Sequence, residues 1–513
     1  MLSKIYSASV IGLDAIVIDV ETHIEGGLPS FSTVGLPDAA VKESKDRINA
    51  AIKNSFYQYP LKKIVVNLAP ADVKKEGSSY DLPIAISILA ATSQVDLDRA
   101  GEYIILGELA LNGDIRSIKG ALPIALTAEK LKGEKSLKGV ILPKENANEA
   151  AVIKGIDIFP VSSLKEVVDF LNMEKEISPV NVDLENIFEE LSYSDLDFVD
   201  VKGQYTAKRA LEIAAAGGHN LLMIGPPGSG KSMLAKRFPT ILPKMTIDEA
   251  LETTKIYSVA GMLPPNKALI ATRPIRSPHH SISDTALVGG GRIPRPGEIS
   301  LSHNGVLFLD ELTEFKKNVL EVMRQPLEDR EVTIARAAQT LKFPASFMLI
   351  SAMNPCPCGY YKDPDKNCTC NISKIKNYLS KLSGPLLDRI DIHIEVPAVK
   401  YEELSSKETA EKSRDIRKRV IKARNIQLKR FEGSGVFSNS LMSNKAMEQF
   451  CILDKESRDI FKKAIDHLGL SARAYNRILK VARTIADLED SENIEKKHIA
   501  EAIQYRTLDR KYI

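Results

Sequence analysis

The sequence has little net charge and no long apolar run. Its 513 residues carry a formal net charge of +3, so the charge balance argues neither for nor against nucleic acid, and any such site must be local. The most apolar stretch, Leu82 to Thr92, contains Pro83 and is too short to span a bilayer. The first residues run into Asp14 and Asp19 without the apolar segment of a signal peptide. We therefore expect a cytoplasmic protein with no membrane partner.

Cysteine is also scarce, and its distribution is uneven. Four of the five cysteines lie between positions 356 and 370. In a reducing compartment, this clustering favours a metal site over a disulfide framework. The remaining composition, 44% hydrophobic and 27% charged, is that of an ordinary globular protein. At about 100–200 residues per domain, the length predicts about three domains.

Changes in residue pattern predict the domain boundaries. Residues 1–172 alternate strand-like and helical patterns, which indicates a self-contained α/β domain. Residues 173–200 form a linker whose part from 183 onward has seven acids and no base; it is an exposed acidic connector or a docking surface for a basic face. Residues 201–398 hold the nucleotide motifs described below. Residues 399–513 are helical, with the apolar spacing of a small bundle.

A phosphate-binding loop starts at position 225. It matches the pattern GxxxxGK[ST] and lies between a short apolar strand and the start of a helix. In that context backbone N–H groups form a concave nest, Lys231 reaches the β and γ phosphates, and the Ser232 hydroxyl ligates Mg²⁺. The loop consists of Gly225, Pro226, Pro227, Gly228, Ser229, Gly230, Lys231 and Ser232. The sequence therefore predicts binding of a nucleoside triphosphate.

Two further apolar strands end in polar residues suited to hydrolysis. The run from Gly305 to Leu309 is followed by Asp310 and Glu311. This arrangement places the first acid on the Mg²⁺ shell and the second against the attacking water. The next strand ends in Asn354, whose amide can hold that water against the γ phosphate. With the phosphate loop, these residues indicate a P-loop NTPase.

In order and spacing, these motifs resemble the AAA+ ATPases of the magnesium-chelatase-like and minichromosome-maintenance branch. The resemblance covers residues 201–513 and includes Leu-Leu-Asp-Arg ending at Arg389 and Ser-Ala-Arg ending at Arg473. It implies an α/β core, a parallel sheet with flanking helices, followed by a C-terminal helical lid, with ATP and Mg²⁺ as ligands. It also implies that Asn354 is sensor 1, that Arg389 is the arginine finger, and that Arg473 is sensor 2. An arginine that serves the neighbouring subunit's ATP implies a ring, expected to be a homohexamer.

Two other segments resemble features of the same branch. Residues 273–297 are similar to its helix-2 insert; for His279 and His280 within it we favour a loop-structuring role over metal binding. Residues 331–343 are similar to the hairpin that lines the central pore of such rings. Arg336 near its tip then contacts a DNA phosphate backbone, or it is an ordinary exposed arginine.

The four clustered cysteines form two closely spaced pairs around a turn-rich loop. Cys356, Cys358, Cys368 and Cys370 can close a tetrahedral Zn²⁺ shell, and a metal would order a loop that has little apolar content. The C-x-C spacing is tighter than the usual C-x₂-C. A structural Zn²⁺ is the favoured interpretation, and reduced thiols without metal are the alternative.

The N-terminal domain resembles the proteolytic domain of Lon and the matching domain of RadA, across residues 74–86 and 106–120. Lon uses a Ser–Lys dyad, but the residues after Gly120 read Ala-Leu-Pro-Ile where the lysine should stand. Without that base a serine hydroxyl is a poor nucleophile. We expect an α/β domain without protease activity, although Ser78, Ser79 and Lys119 keep the question open.

Over nearly the whole chain, this combination resembles the ComM family, also known as YifB or magnesium-chelatase-like proteins. The resemblance implies a hexameric, ATP-driven translocase on single-stranded or branched DNA that promotes branch migration during natural transformation. A chelatase motor subunit and a remodeller of protein partners are the alternatives. Residues 412–430 carry nine bases and one acid, which favours DNA or marks a solvated helix face.

Overall fold

The computed structural model contains two compact units. The first comprises Met1–Leu191 and Ile247–Ala271, and the second comprises Ser192–Thr246 and Thr272–Ile513. The structure describes residues 1–184, 187–188, 196–264, 267–291, 294–335, 340–399, 410–468 and 471–506. Each unit combines a sheet with flanking helices, so the predicted α/β class is confirmed.

The first unit is built on a seven-stranded mixed sheet in the order β3-β4-β2-β1-β5-β8-β9. Strands β1, β2 and β4 pair antiparallel, and the other neighbours pair parallel. The strands of this unit are β1 (Leu2–Ile11), β2 (Asp14–Glu25), β3 (Ser30–Val34), β4 (Lys63–Ala69), β5 (Tyr103–Ile105), β6 (Glu108–Leu109), β7 (Ile115–Arg116), β8 (Gly139–Pro143) and β9 (Asp157–Val161). Strands β6 and β7 form a separate small hairpin.

Helices cover this sheet. Asp38 begins the first of them, because its side chain accepts a hydrogen bond from the Val41 amide. The helices are α1 (Ala39–Asn54), α2 (Asp81–Ala91), α3 (Leu97–Ala100), α4 (Ala121–Lys135), α5 (Lys144–Ala150) and α6 (Leu164–Leu171). Every residue of α2 is buried, so the most apolar run of the chain is a core helix. None of the helices in the described part of the chain combines the length and apolar character needed to cross a bilayer.

A segment from the middle of the chain completes the first unit. We call Ile247–Ala260 the inserted helix. The Gly120 amide donates to the Ser258 carbonyl at 3.1 Å, and the Ser258 hydroxyl donates to the Glu149 carboxylate. The predicted domain boundaries at residues 172, 200 and 398 assumed that each domain is one continuous stretch of chain, and they did not place the inserted helix in the first unit. These boundaries stay a prediction. Much of the predicted acidic connector lies outside the described residues, namely 185–186 and 189–195.

The second unit contains a five-stranded parallel sheet in the order β11-β14-β17-β10-β18. Three of its strands are buried along their whole length, as expected for a parallel sheet covered on both faces. The strands of this unit, including two hairpins, are β10 (Leu221–Ile224), β11 (Ile275–Arg276), β12 (Gly289–Gly290), β13 (Arg295–Pro296), β14 (Val306–Leu309), β15 (Glu331–Ala335), β16 (Thr340–Pro344), β17 (Met348–Met353) and β18 (Ile392–Glu395). The predicted arms of the second hairpin pair antiparallel as β15 and β16.

Helices flank this sheet and make up the C-terminal region. The helices are α7 (Tyr205–Gly217), α8 (Lys231–Arg237), α9 (Asp284–Val288), α10 (Glu298–Leu301), α11 (Lys317–Glu321), α12 (Arg324–Asp329), α13 (Ile372–Leu379), α14 (Gly384–Leu387), α15 (Ser413–Arg430), α16 (Asn444–Phe450), α17 (Lys455–Leu468), α18 (Ala472–Leu488) and α19 (Lys496–Gln504). Single 3₁₀ turns occur at Phe198–Asp200, Phe238–Ile241, Leu312–Glu314 and Asn439–Leu441. One continuous core joins the sheet to the C-terminal helices.

The basic segment at 412–430 forms α15, and several of its cations have partners inside the unit. The pairs are Arg419 with Glu212 at 2.5 Å, Lys422 with Asp490 at 2.8 Å and Arg430 with Asp487 at 2.5 Å. Arg424 donates to the carbonyls of Phe437 and Ala215. These contacts tie α15 to the rest of the unit, so its basic composition does not by itself indicate a DNA-binding face.

Candidate nucleotide-binding site

The predicted nucleotide residues follow three neighbouring strands. The phosphate loop follows β10, Asn354 follows β17, and Asp310 and Glu311 follow β14. Strand β17 lies between the other two, and all three run parallel. Because the carboxyl ends of parallel strands meet at one edge of a sheet, these side chains converge there.

The backbone of the phosphate loop requires its glycines. Gly228 and Gly230 have φ angles of +78° and +89°, which side chains of L residues rarely adopt. A Cβ on Gly225 would lie 2.1 Å from the Val396 carbonyl oxygen, which follows β18. The loop is therefore held against the neighbouring strand, and Gly230 immediately precedes α8.

Lys231 lies within the loop that it is predicted to serve. Its ammonium donates to the carbonyl oxygens of Gly225 and Pro226, both at 2.8 Å, and to the Asn354 amide oxygen at 3.3 Å. Burial lowers its pKa to about 8, and the Asp310 carboxylate opposes this shift. The structure thus brings Lys231 and Asn354 together, with a cation beside the nest where phosphates would bind.

Ser232 and Asp310 offer oxygen ligands side by side. The Ser232 hydroxyl donates to the Asp310 carboxylate at 2.6 Å. Mg²⁺ prefers oxygen ligands and is commonly bound by one or two protein groups together with substrate phosphates. These two residues fit a Mg²⁺ ion that arrives with a nucleotide.

Glu311 lies next to His280, and this contact was not predicted from the sequence. Its carboxylate lies 3.7 Å from the His280 Nδ1 atom. Strands β11 and β14 pair with Arg276 opposite Leu307, so His280 and Glu311 each lie four residues after one of these paired residues. The register of β11 against β14 could have predicted that His280 and Glu311 are neighbours. However, β11 has only two residues, and so short a strand is hard to recognise in the sequence. The His279 ring lies 4.0 Å from the His280 ring and its Nδ1 bonds to Ser281.

The predicted arginine finger, Arg389, and the predicted sensor 2, Arg473, form a second group. Arg389, which is 7% exposed, donates to the Pro385 carbonyl and to the Glu328 carboxylate. Arg473 lies 3.7 Å from the other oxygen of Glu328. Burial and the positive charge of Arg473 lower the pKa of Arg389. The structure therefore brings the predicted finger and sensor 2 together at one carboxylate.

An ion pair that was not predicted connects the C-terminal helices to the sheet. Arg477 on α18 pairs with Asp391, which immediately precedes β18. Asp391 also accepts from the Asn220 amide at 2.9 Å and lies 3.5 Å from His219. Desolvation opposes ionisation of Asp391, but Arg477 and His219 outweigh it and hold its pKa well below the usual range.

The four clustered cysteines converge on one point. The Cys356 sulfur lies 3.4 Å from that of Cys358 and 3.7 Å from that of Cys368, and the Cys358 and Cys368 sulfurs are 3.6 Å apart. The Cys370 sulfur completes a group within 4.8 Å. Zn–S bonds of about 2.3 Å give sulfur separations of about 3.8 Å in a tetrahedron, whereas a disulfide requires about 2.05 Å. The four thiols fit a tetrahedral metal shell.

The ionisation of the thiols differs. Desolvation opposes ionisation of Cys358, but hydrogen bonds from the Tyr360 and Thr369 backbones outweigh it and lower its pKa to about 5. Burial raises the pKa of Cys356. A bound Zn²⁺ would require all four thiolates and would release the remaining protons.

The DNA contact of Arg336 and the lack of protease activity in the N-terminal domain stay predictions. Arg336 lies outside the described residues, which end at 335 and resume at 340. In the first unit, the Ser78 hydroxyl donates to Glu108, and a Cβ on Gly261 would meet the Lys119 side chain. Neither contact pairs a serine with a lysine base.

Comparisons with known proteins cover nearly the whole chain. Family models described as "Subunit ChlI of Mg-chelatase", "Magnesium chelatase, subunit ChlI" and "Magnesium chelatase, subunit ChlI C-terminal" match residues 20–146, 197–404 and 410–506. The competence protein ComM of Haemophilus influenzae is 45% identical over 513 residues, which cover 99% of this chain and 98% of its own. The uncharacterized protein YifB of Escherichia coli is 44% identical over 511 residues, with the same coverage.

Similarity to a chelatase subunit is more limited. The magnesium-chelatase 67 kDa subunit of Chlorobaculum parvum is 29% identical over 164 residues, which cover 31% of this chain and 23% of its own. The ComM and YifB proteins, in contrast, match this chain across both units. The family resemblance seen in the motifs is confirmed: the chain belongs to the ComM/YifB family of magnesium-chelatase-like AAA+ proteins.

Proposed function

We propose that this protein is an ATP-hydrolysing ring motor that moves DNA. The observation that carries the ATPase part is the convergence of Lys231, Ser232, Asp310 and Asn354 at one edge of the parallel sheet. Lys231 would bind the β and γ phosphates, and Ser232 with Asp310 would hold the Mg²⁺ that accompanies them. The remaining residues of the phosphate loop supply backbone N–H groups to the same phosphates.

Hydrolysis requires a water molecule that is held and deprotonated. Glu311 carries an exposed carboxylate one residue beyond Asp310 and would accept the proton of that water. The Asn354 amide would orient the water against the γ phosphate. The charge that develops on the transferring phosphoryl group would be stabilised by Lys231, Mg²⁺ and an arginine from the neighbouring subunit.

Arg389 supports assembly into a ring. It is held at Glu328 beside Arg473, whereas Lys231 donates to loop carbonyls, Ser229 and Asn354. A subunit that presents an arginine to the next subunit's ATP makes a heterologous contact, and such contacts close into rings when the rotation permits. We propose a homohexamer with one ATP site at each subunit contact.

DNA is the proposed substrate because of the relatives that match the whole chain. One of them is named as a competence protein and is 45% identical across both units. We propose that the ring translocates single-stranded or branched DNA and promotes branch migration during natural transformation. Arg336, which lies outside the described residues, is the proposed contact to the phosphate backbone.

A chelatase motor is the second candidate, since the family models carry that description. It ranks lower because the chelatase subunit matches only 31% of this chain. Remodelling of a protein partner is the third candidate, because it would use the same ATP site and the same ring.

A structural Zn²⁺ is part of the proposal. The sulfur separations of 3.4 to 3.7 Å match a tetrahedral thiolate shell more closely than any disulfide. Zn²⁺ is the metal that four thiolates select most readily among abundant divalent ions without redox chemistry.

The proposal is tested by measuring ATP hydrolysis without DNA, with single-stranded DNA and with a forked DNA. We expect forked or single-stranded DNA to stimulate hydrolysis by wild type, and we expect Glu311→Gln to bind ATP with hydrolysis lowered about 10²-fold or more. Lys231→Ala is the matched variant that should lose binding itself. If the protein binds and hydrolyses ATP but no DNA changes the rate, the result would contradict DNA as the substrate and favour a protein or a porphyrin.

A further inference from the structure

The loop that carries the cysteines packs directly on the phosphate loop. Gly359, between the two cysteine pairs, has a φ angle of +88°, and a Cβ placed on it would lie 2.3 Å from Cδ and 2.7 Å from Cγ of Pro227. The backbone of the cysteine loop therefore touches the ring of a phosphate-loop residue, with no space for a side chain. The Gly359 amide donates to the Cys356 carbonyl at 2.9 Å, which fixes this turn to the first cysteine.

A second connection runs through the strand that precedes the cysteines. Cys356 is fully buried and stands two residues after Asn354. The Asn354 amide oxygen accepts from the Lys231 ammonium at 3.3 Å, and the Gly225 amide donates to the Met353 carbonyl at 3.2 Å. The cysteine loop thus contacts the middle of the phosphate loop, and the two residues that closely precede it, Met353 and Asn354, contact the start of the phosphate loop and its lysine.

Little else in the cysteine loop could hold it in this position. Among residues 356–370, only Cys356 and Gly359 are buried. The segment from 363 to 367 is polar except for Pro364, and within it the Asp365 and Lys366 amides donate to Asp363. A loop without an apolar core is ordered by the metal it binds.

We propose that the metal held by Cys356, Cys358, Cys368 and Cys370 controls the affinity of the phosphate loop for ATP. The bound metal keeps Gly359 against Pro227 and keeps Asn354 beside Lys231, and loss of the metal releases both contacts. This inference rests on the proposed ATP site, and it assigns that site a dependence on Zn²⁺ that is separate from its dependence on Mg²⁺.

The first test changes the contact while leaving every thiol in place. Gly359→Ala should keep about one Zn²⁺ per chain by elemental analysis, yet bind a fluorescent ATP analogue about tenfold more weakly, because the new methyl group displaces Pro227. Gly433→Ala is the matched control, since Gly433 also has a positive φ angle, +75°, but nothing lies within 4 Å of its added Cβ. This control should keep wild-type affinity. Wild-type affinity in Gly359→Ala would overturn the proposal.

A compensating variant tests the physical cause. Pro227→Ala removes the ring atoms that the methyl group would meet, so Gly359→Ala combined with Pro227→Ala should recover most of the affinity of Pro227→Ala alone. A double variant as weak as the product of the two single effects would mean that the two residues act independently. That result contradicts the proposed contact.

The second test removes the metal from wild-type protein under reducing conditions. ATP affinity should fall about tenfold on chelation of Zn²⁺ and should return when Zn²⁺ is added back, with circular dichroism reporting that the fold persists. Affinity that does not follow metal content would overturn the coupling while leaving the ATP site intact. Fully zinc-loaded protein that binds no ATP would instead overturn the proposed function.

Discussion

Lys231 shows how a single buried cation can make nucleotide binding depend on pH. Its ammonium is surrounded by loop carbonyls, and burial lowers its pKa to about 8. A polyphosphate beside it favours the charged form. ATP binding above pH 8 must therefore be accompanied by uptake of a proton.

We predict that ATP affinity falls as the pH rises from 7 to 9.5, approaching about one logarithmic unit per pH unit above the pKa of Lys231. Titration calorimetry at several pH values, in buffers of different ionisation enthalpy, measures both the affinity and the proton. Lys231→Arg is the control, because a guanidinium stays charged over this range. A wild-type affinity that is constant from pH 7 to 9.5 would contradict this assignment.

His280 is predicted to position Glu311. The two side chains are 3.7 Å apart, and Glu311 has a φ angle of +52°, a conformation that is uncommon for residues other than glycine. We expect His280→Ala to lower kcat for ATP hydrolysis about threefold to tenfold, a part of the contribution of a general base, with little change in KM. His280→Asn should recover part of the loss. His279→Ala, which alters the neighbouring ring, is the control, and equal losses in both alanine variants would argue for a general loop effect.

At the scale of elements, the ion pair between Asp391 and Arg477 joins α18 to the start of β18. Asp391 is only 5% exposed, whereas the Arg477 side chain is 21% exposed. Removing one partner of a fully buried pair costs about 3–5 kcal/mol, and the partial exposure of Arg477 puts the expected cost at the lower end, about 3 kcal/mol. We predict a loss of this size in the free energy of unfolding for Asp391→Asn, measured by urea denaturation.

Asp388→Asn is the matched control, because Asp388 is half-buried and lies three residues upstream. The pKa of Asp391 is depressed in the fold, so its stabilisation is present above the unfolded carboxyl pKa and is lost as the pH falls into the acid range. Equal stability of the Asp391→Asn and Asp388→Asn variants at neutral pH would contradict a stabilising role for the ion pair.

Some elements of the fold and of the site could be predicted from the sequence, and others could not. The phosphate loop and the strands that precede Asp310 and Asn354 were predictable, because each is a local pattern of apolar residues followed by polar ones. The pairing of His280 with Glu311 depends on the register of β11, which has two residues. The placement of the inserted helix depends on tertiary contacts with Gly120 and Glu149, more than 100 residues away, and no local pattern encodes them.

At the scale of the whole molecule, the assignment of Arg389 as an arginine finger predicts activity between subunits. Arg389→Ala and Lys231→Ala subunits should each be inactive alone, the first because it offers no arginine and the second because it binds no ATP. Mixed rings should recover part of the activity, since an Arg389→Ala subunit keeps an intact phosphate loop beside a Lys231→Ala neighbour with an intact Arg389. Hydrolysis at several mixing ratios measures the recovery. Rings shown to be mixed but inactive would contradict an arginine that acts in trans.

The central claim, that ATP hydrolysis by this ring moves DNA strands, is tested most directly by branch migration of a labelled junction. Wild-type protein with ATP and Mg²⁺ should convert a mobile four-way junction into product duplexes. The Glu311→Gln variant should bind the junction without converting it, as should wild type with a non-hydrolysed ATP analogue. A wild-type ring that hydrolyses ATP on this junction yet leaves the strands where they started would contradict the account.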